Sequence, residues 1–139
     1  MQRSLHPLAD GGSIPAAGAL TTGDLVQAEI EIFSAVPREF VTIDDPLPGG
    51  LEAVDLALGL GGAWLRRIDP GRSTGREFGD ARVTDFIDHL PAGVTRLRYL
   101  ARATGIGRFI HPPLQVEARY APEVFGRTAA DTITIVPAP

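Results

Sequence analysis

The chain has 139 residues, enough for one domain that buries about two-thirds of its unfolded surface. It contains no cysteine and no lysine: its 13 cations are all arginine, set against 17 acidic residues for a net charge of −4. That excludes disulfides, thiolate metal sites, thiol nucleophiles, Schiff-base chemistry and a lysine-dependent phosphate loop, and it leaves no basic footprint for nucleic acid.

Residues 1–23 are polar, rich in Gly and Ala and without period, and are expected as an extended lead-in to a single domain over 24–139. From Asp24 to Phe33 the pattern changes. Val26, Ala28, Ile30 and Ile32 fall on one face, while Gln27, Glu29 and Glu31 fall on the other, the alternation of a strand half-buried in a core. Phe40 to Asp44 is a second strand, running into a turn where Pro46 and Pro48 bar sheet pairing and Asp44 and Asp45 supply turn chemistry. Leu51 to Leu58 is a third strand; its leucines are also spaced for a helix, but Gly59 leaves it too short for one. A Gly/Arg-rich loop over 59–75 holds the only tryptophan, Trp64.

Arg76 to Phe78 and Arg82 to Leu90 are strand-like, and Pro91 to Gly93 form a turn. Thr95 to Ala103 is the clearest strand after the first, with Leu97, Tyr99, Ala101 and Ala103 on one face and Arg96, Arg98 and Arg102 on the other. Phe109 to Val116 is held extended by its prolines, Glu117 to Phe125 reads as a short loop or one helical turn, and Thr132 to Val136 is a last strand. Short strands punctuated by Pro and Gly predict an all-β antiparallel sandwich of immunoglobulin-like class, with at most one short helix.

Sites of self-contained chemistry are sparse. His6, His89 and His111 lack metal-ligand spacing, and His111 before Pro112 reads as a surface loop residue, so neither a metal nor a cofactor is expected. No serine sits in a Gly-x-Ser-x-Gly elbow, and Gly105 and Gly107 do not extend to a dinucleotide fingerprint. Asp45, Asp80 and Asp85 would serve a carboxylate-dependent hydrolase only if they met in one pocket; otherwise they are solvated acids. The arginine row at 96, 98 and 102 is either a wet strand face or a partner site. No apolar run spans a bilayer, so direct membrane insertion is not expected. Residues 1–20 lack a signal peptide's basic start and apolar stretch, which fits a cytoplasmic protein or a piece of a longer exported chain.

Three stretches taken together resemble a known family. They are Val41 to Glu52, with its Pro46, Pro48, Gly49 and Gly50; Phe78 to Val83; and Tyr99 to Thr128, which leads through Gly107, His111, Pro112 and Pro113 to Glu117, Tyr120, Pro122 and Glu123. Their order and spacing resemble the C-terminal macroglobulin-like domain of bacterial alpha-2-macroglobulins.

The resemblance implies a β-sandwich module, not an enzyme, within a long protease inhibitor of the periplasm or cell exterior, the parent usually anchored at the inner membrane. In such a parent a protease cleaves a bait segment, the chain rearranges, and an internal thioester acylates the protease. The thioester needs a cysteine, so it lies elsewhere in the parent. The implied job of this module is to pack on the thioester domain, with Tyr120 covering the thioester at rest and Glu117, Arg119, Pro122 and Glu123 framing it.

Arg119 stands where the family usually has methionine, and Gly105 to Arg108 replace a Thr-Pro-Gly-Thr-like turn. Gly79 to Arg82 lack one acid of an Arg-Asp-Asp-Arg-like segment, leaving Asp80 and Arg82 as a structural pair. Some relatives lack the thioester. The competing reading is a free-standing immunoglobulin-like adhesion or binding module, using a sheet edge or the loop around Trp64.

Overall fold

A computed structural model describes residues 1–8, 19–55, 71 and 73–138, with the backbone alone at Pro122. Trp64 and most of the 59–75 loop lie outside the described residues, as do 56–58 at the end of the third expected strand. The described residues form twelve strands and no helix. In chain order these are β1 (Gln2–Leu8), β2 (Leu20–Thr21), β3 (Leu25–Ser34), β4 (Arg38–Pro46), β5 (Leu51–Val54) and β6 (Gly75–Phe78), then β7 (Arg82–Leu90), β8 (Gly93–Ala103), β9 (Gly107–His111), β10 (Gln115–Ala118), β11 (Ala121–Arg127) and β12 (Asp131–Val136).

They assemble into three sheets. One has four strands in the order β1-β3-β8-β5, a second has five in the order β11-β10-β4-β7-β6, and a small third runs β2-β12-β9. Pairing is antiparallel except between β2 and β12, which run parallel over two residues. The sandwich follows from the alternation. Val26, Ala28, Ile30 and Ile32 of β3 and Leu97, Tyr99, Ala101 and Ala103 of β8 turn inward from the four-stranded sheet, opposite Val41 and Ile43 of β4 and Val83 and Ile87 of β7. Leu20 and Ile135 of the small sheet join the same core, with Ile133 and Phe109 packed against it.

On the wet side of the four-stranded sheet the arginine row is largely neutralised across the β3–β8 ladder. Arg98 reaches Glu29 at 2.8 Å and Arg96 reaches Glu31 at 3.3 Å, while Arg102 donates to the Gly23 carbonyl at 3.1 Å.

Two expectations are corrected. Residues 2–8 are not a lead-in but an edge strand, paired along its whole length with β3 from Gln2–Glu31 to Leu8–Leu25. Edge pairing needs backbone hydrogen bonds rather than a buried face, so β1 carries no apolar alternation for a sequence reading to find. Glu117 to Phe125 is neither loop nor helical turn: it spans the β10–β11 hairpin, whose register shifts between Glu117 and Ala118.

Close packing between sheets also explains one glycine. A Cβ at Gly50 would lie 2.5 Å from Phe109 and 2.6 Å from Ile135, inside both side chains. Gly50→Ala is therefore expected to cost about 1–3 kcal/mol through overpacking, read as a lower urea midpoint with unchanged slope.

Candidate functional site

The interior holds an unusual amount of charge. Asp45 of β4 and Asp85 of β7 both point inward and are almost completely buried. Arg3 of β1 crosses from the four-stranded sheet to Asp45 Oδ1 at 2.5 Å and also donates to the Pro112 carbonyl at 2.7 Å. The Tyr99 hydroxyl of β8 donates to the other Asp45 oxygen at 2.6 Å. Arg76 of β6 grips Asp85 with two nitrogens at 2.7 and 3.3 Å, donates to the Arg98 carbonyl of the opposite sheet at 2.8 Å, and lies 5.9 Å from the Tyr99 ring centre. Each buried carboxylate thus has an arginine, which satisfies its charge out of contact with solvent.

Burial pushes the Asp45 carboxyl up, and the Tyr99 hydrogen bond and the Arg3 charge oppose that shift. Burial beside Asp45 pushes the Tyr99 phenol well above its ordinary value, so it remains a donor. His111 of β9 lies beside this cluster, its Nε2 3.9 Å from Asp45 Oδ1 and without a hydrogen-bond partner among the described residues. Burial, aided by the Arg3 charge, lowers its pKa to about 4.

Here the structure overrides four sequence expectations. His111 is a buried core residue, not a surface loop residue, because β9 pairs with β12 and turns it inward. Asp45 is not a turn acid but continues the inward row of Val41 and Ile43; Asp85 continues that of Val83 and Ile87. The signal was in the alternation, since each aspartate falls in phase with the apolar positions before it. Nor do Asp45, Asp80 and Asp85 come together: Asp45 and Asp85 have separate arginines, and Asp80 is exposed between β6 and β7. Arg82 pairs not with Asp80 but with Asp44, at 2.7 Å across the β4–β7 ladder, where Pro46 opposite Arg82 leaves Asp44 as its diagonal neighbour. Among the described residues no His/Asp/Glu cluster could hold a metal.

The outward site is built on β4. Phe40 has φ +53°, a left-handed backbone that a phenylalanine rarely adopts. The β4–β7 pairing steps over it, from Glu39–His89 to Val41–Ile87. Its carbonyl accepts the Arg119 N–H at 2.8 Å, which pins the two-residue turn of the β10–β11 hairpin to β4. Tyr120, in that turn, meets the Phe40 ring edge-on, with centroids 5.4 Å apart at 86°. The Tyr120 residue is 79% exposed, so its ring projects outward and does not cap the domain's own core. The Arg119 guanidinium lies 5.9 Å from the Phe86 ring centre. Glu117 and Glu123 are exposed on the two strands of the hairpin, and β11 includes Pro122 in its backbone. Below the turn, a shallow cavity of about 400 Å³ lies between Thr42, Thr84, Glu117, Arg119 and the Arg82–Asp44 pair.

Comparison with known proteins gives this arrangement a family. Residues 1–123 match the model of the bacterial alpha-2-macroglobulin MG10 domain. The chain belongs to that family. This MG10 domain is 39% identical over 111 residues to an alpha-2-macroglobulin homolog from Nostoc sp., a match covering 79% of the chain but 6% of that relative. It is similar to native alpha-2-macroglobulin of Escherichia coli, solved from domain MG7 to the C-terminus, with TM-score 0.74 and 26% identity over 98% of this chain and 23% of that one. The Escherichia coli protein activated by porcine elastase matches at TM-score 0.74 and 25% identity, over 98% of this chain and 13% of that one. The MG10 domain here thus spans a small part of each relative.

Two measurements test the buried cluster. Arg76→Ala should cost about 3–5 kcal/mol by stranding Asp85, whereas Arg82→Ala at the exposed Asp44 pair should cost about 0–1 kcal/mol, both read by urea unfolding. His111 stays neutral in the folded state down to about pH 4 while the unfolded chain protonates it near the ordinary imidazole value of 6.5. Its contribution is therefore present above pH 6.5 and falls as pH drops toward 4, by up to about 1.4 kcal/mol per pH unit. Asp45, with its raised pKa, changes stability in the opposite sense, so the His111 part is the difference in slope between wild type and His111→Gln.

Proposed function

We propose that this MG10 domain docks on the thioester-bearing module of a longer, exported protease inhibitor and shields the thioester until the chain is cut. The observation that carries this reading is Tyr120: an aromatic ring turned out of its own core on a hairpin fastened to β4. A thioester carbonyl is lost to any water or amine that reaches it. A phenol ring held over it supplies an apolar cover with one polar edge.

The brace explains how the cover stays in place and still releases. The Arg119–Phe40 hydrogen bond and the edge-on ring contact fix the turn before docking, so little entropy is lost on binding. The ring makes no bond that must break chemically, and a rearrangement of the parent lifts it off with the rest of the module. This chain has no cysteine, so it supplies the cover and not the electrophile. The family assignment and the elastase-activated Escherichia coli relative support placing that work in a protease-triggered parent.

The test is made in the parent chain. Tyr120→Gly is expected to speed methylamine consumption of the resting thioester by about tenfold or more, with the module's own unfolding midpoint unchanged because the ring lies outside the core. An unaltered rate would show that nothing is being guarded by this ring.

A further inference from the structure

We infer that the docking footprint extends from Tyr120 across the outer face of the five-stranded sheet, with Phe40, Phe86 and Phe125 as apolar anchors and the thioester-bearing module as occupant. This inference rests on the docking proposed above and names the surface that performs it.

The first argument is size. One aromatic side chain offers about 150–250 Å², whereas contacts between domains of one chain take about 600–1,500 Å². Tyr120 alone cannot hold a module in place, and the surface continuous with it is this sheet face.

The second argument is composition. The outer face of a half-buried antiparallel sheet should be polar. Here strand pairing puts Phe125, Glu117, Thr42 and Phe86 in one row across β11, β10, β4 and β7. The two phenylalanines therefore flank a polar centre, with Phe125 74% exposed and Phe86 covered on one side by Arg119. Phe40, 42% exposed, stands beside Tyr120 at the end of the face. Half of the six phenylalanines thus lie outside the core on one surface. Aromatic anchors with arginine and a polar centre are what a protein interface is made of.

The third argument concerns the occupant. The chain spans 6% of its Nostoc relative, and under the proposed docking the partner module belongs to the same polypeptide and meets this face at high effective concentration. The face pairs Arg82 with Asp44 and presents the rings of Phe40, Tyr120 and Phe125 to solvent. It therefore favours a neutral, ring-accepting surface over a strongly charged ligand.

The experiment uses the parent chain and methylamine as the probe. Phe125→Ser, about 14 Å across the sheet from Phe86 by strand spacing, should speed thioester consumption about fivefold by weakening docking, and Phe125→Tyr should restore the wild-type rate. Ile110→Ser, a comparably exposed apolar side chain on β9 of the small sheet, should leave the rate unchanged. If Tyr120→Gly accelerates the reaction while Phe125→Ser behaves like Ile110→Ser, the wider footprint is wrong and the shield stands. If Tyr120→Gly is silent, the docking reading itself fails. Sedimentation of the 139-residue chain alone should give a monomer; a dimer abolished by Phe125→Ser would assign the face to a second copy and overturn the intrachain occupant.

Discussion

Asp45 and Asp85 stand in a space otherwise filled by valine, isoleucine and leucine, and a bare carboxylate there would be intolerable. Their partners resolve this by crossing the sandwich. Arg3 and Tyr99 reach Asp45 from the four-stranded sheet, and Arg76, held on Asp85, reaches back to the Arg98 carbonyl. Apolar packing alone tolerates a slide of one sheet over another, whereas these directional contacts are satisfied at a single offset. The clamp therefore fixes register between layers more than it adds net stability, since a well-packed apolar substitute would do as well energetically.

That fixed offset is what the surface site is built on. Asp45 and Phe40 share β4, and the strand alternates between the two roles along its length. Its inward residues end in the clamp; its outward and irregular residues support the hairpin. The left-handed turn of the backbone at Phe40 costs roughly 1 kcal/mol. A strained residue persists only where its surroundings dictate it, and here it orients both a carbonyl toward Arg119 and a ring toward Tyr120.

Much of this architecture was legible in the residues. The inward rows of β3 and β8 follow directly from alternation, and the limits of β7 match the strand expected from Arg82 to Leu90. Tyr120 and its frame were marked by resemblance, not by pattern, because a two-residue turn carries no periodicity. What escaped was held by contacts distant in sequence. β1 owes its place to backbone pairing and to Arg3, 42 residues from Asp45. The burial of His111 depends on β12, which follows it in the chain. Asp45 and Asp85 were in phase with their neighbours, but acids are so seldom buried that their chemistry outweighed their spacing.

The exclusive use of arginine takes on meaning beside the hairpin. Arg119 adjoins Tyr120, and Arg82 borders the cavity beneath it. A guanidinium stays protonated across the physiological range, so it has no free lone pair with which to attack an activated acyl carbon. A primary amine in the same place would lose a proton, attack the thioester carbonyl and be acylated as the thiolate leaves. Under the proposed docking, these cations can press against an acyl donor indefinitely without consuming it.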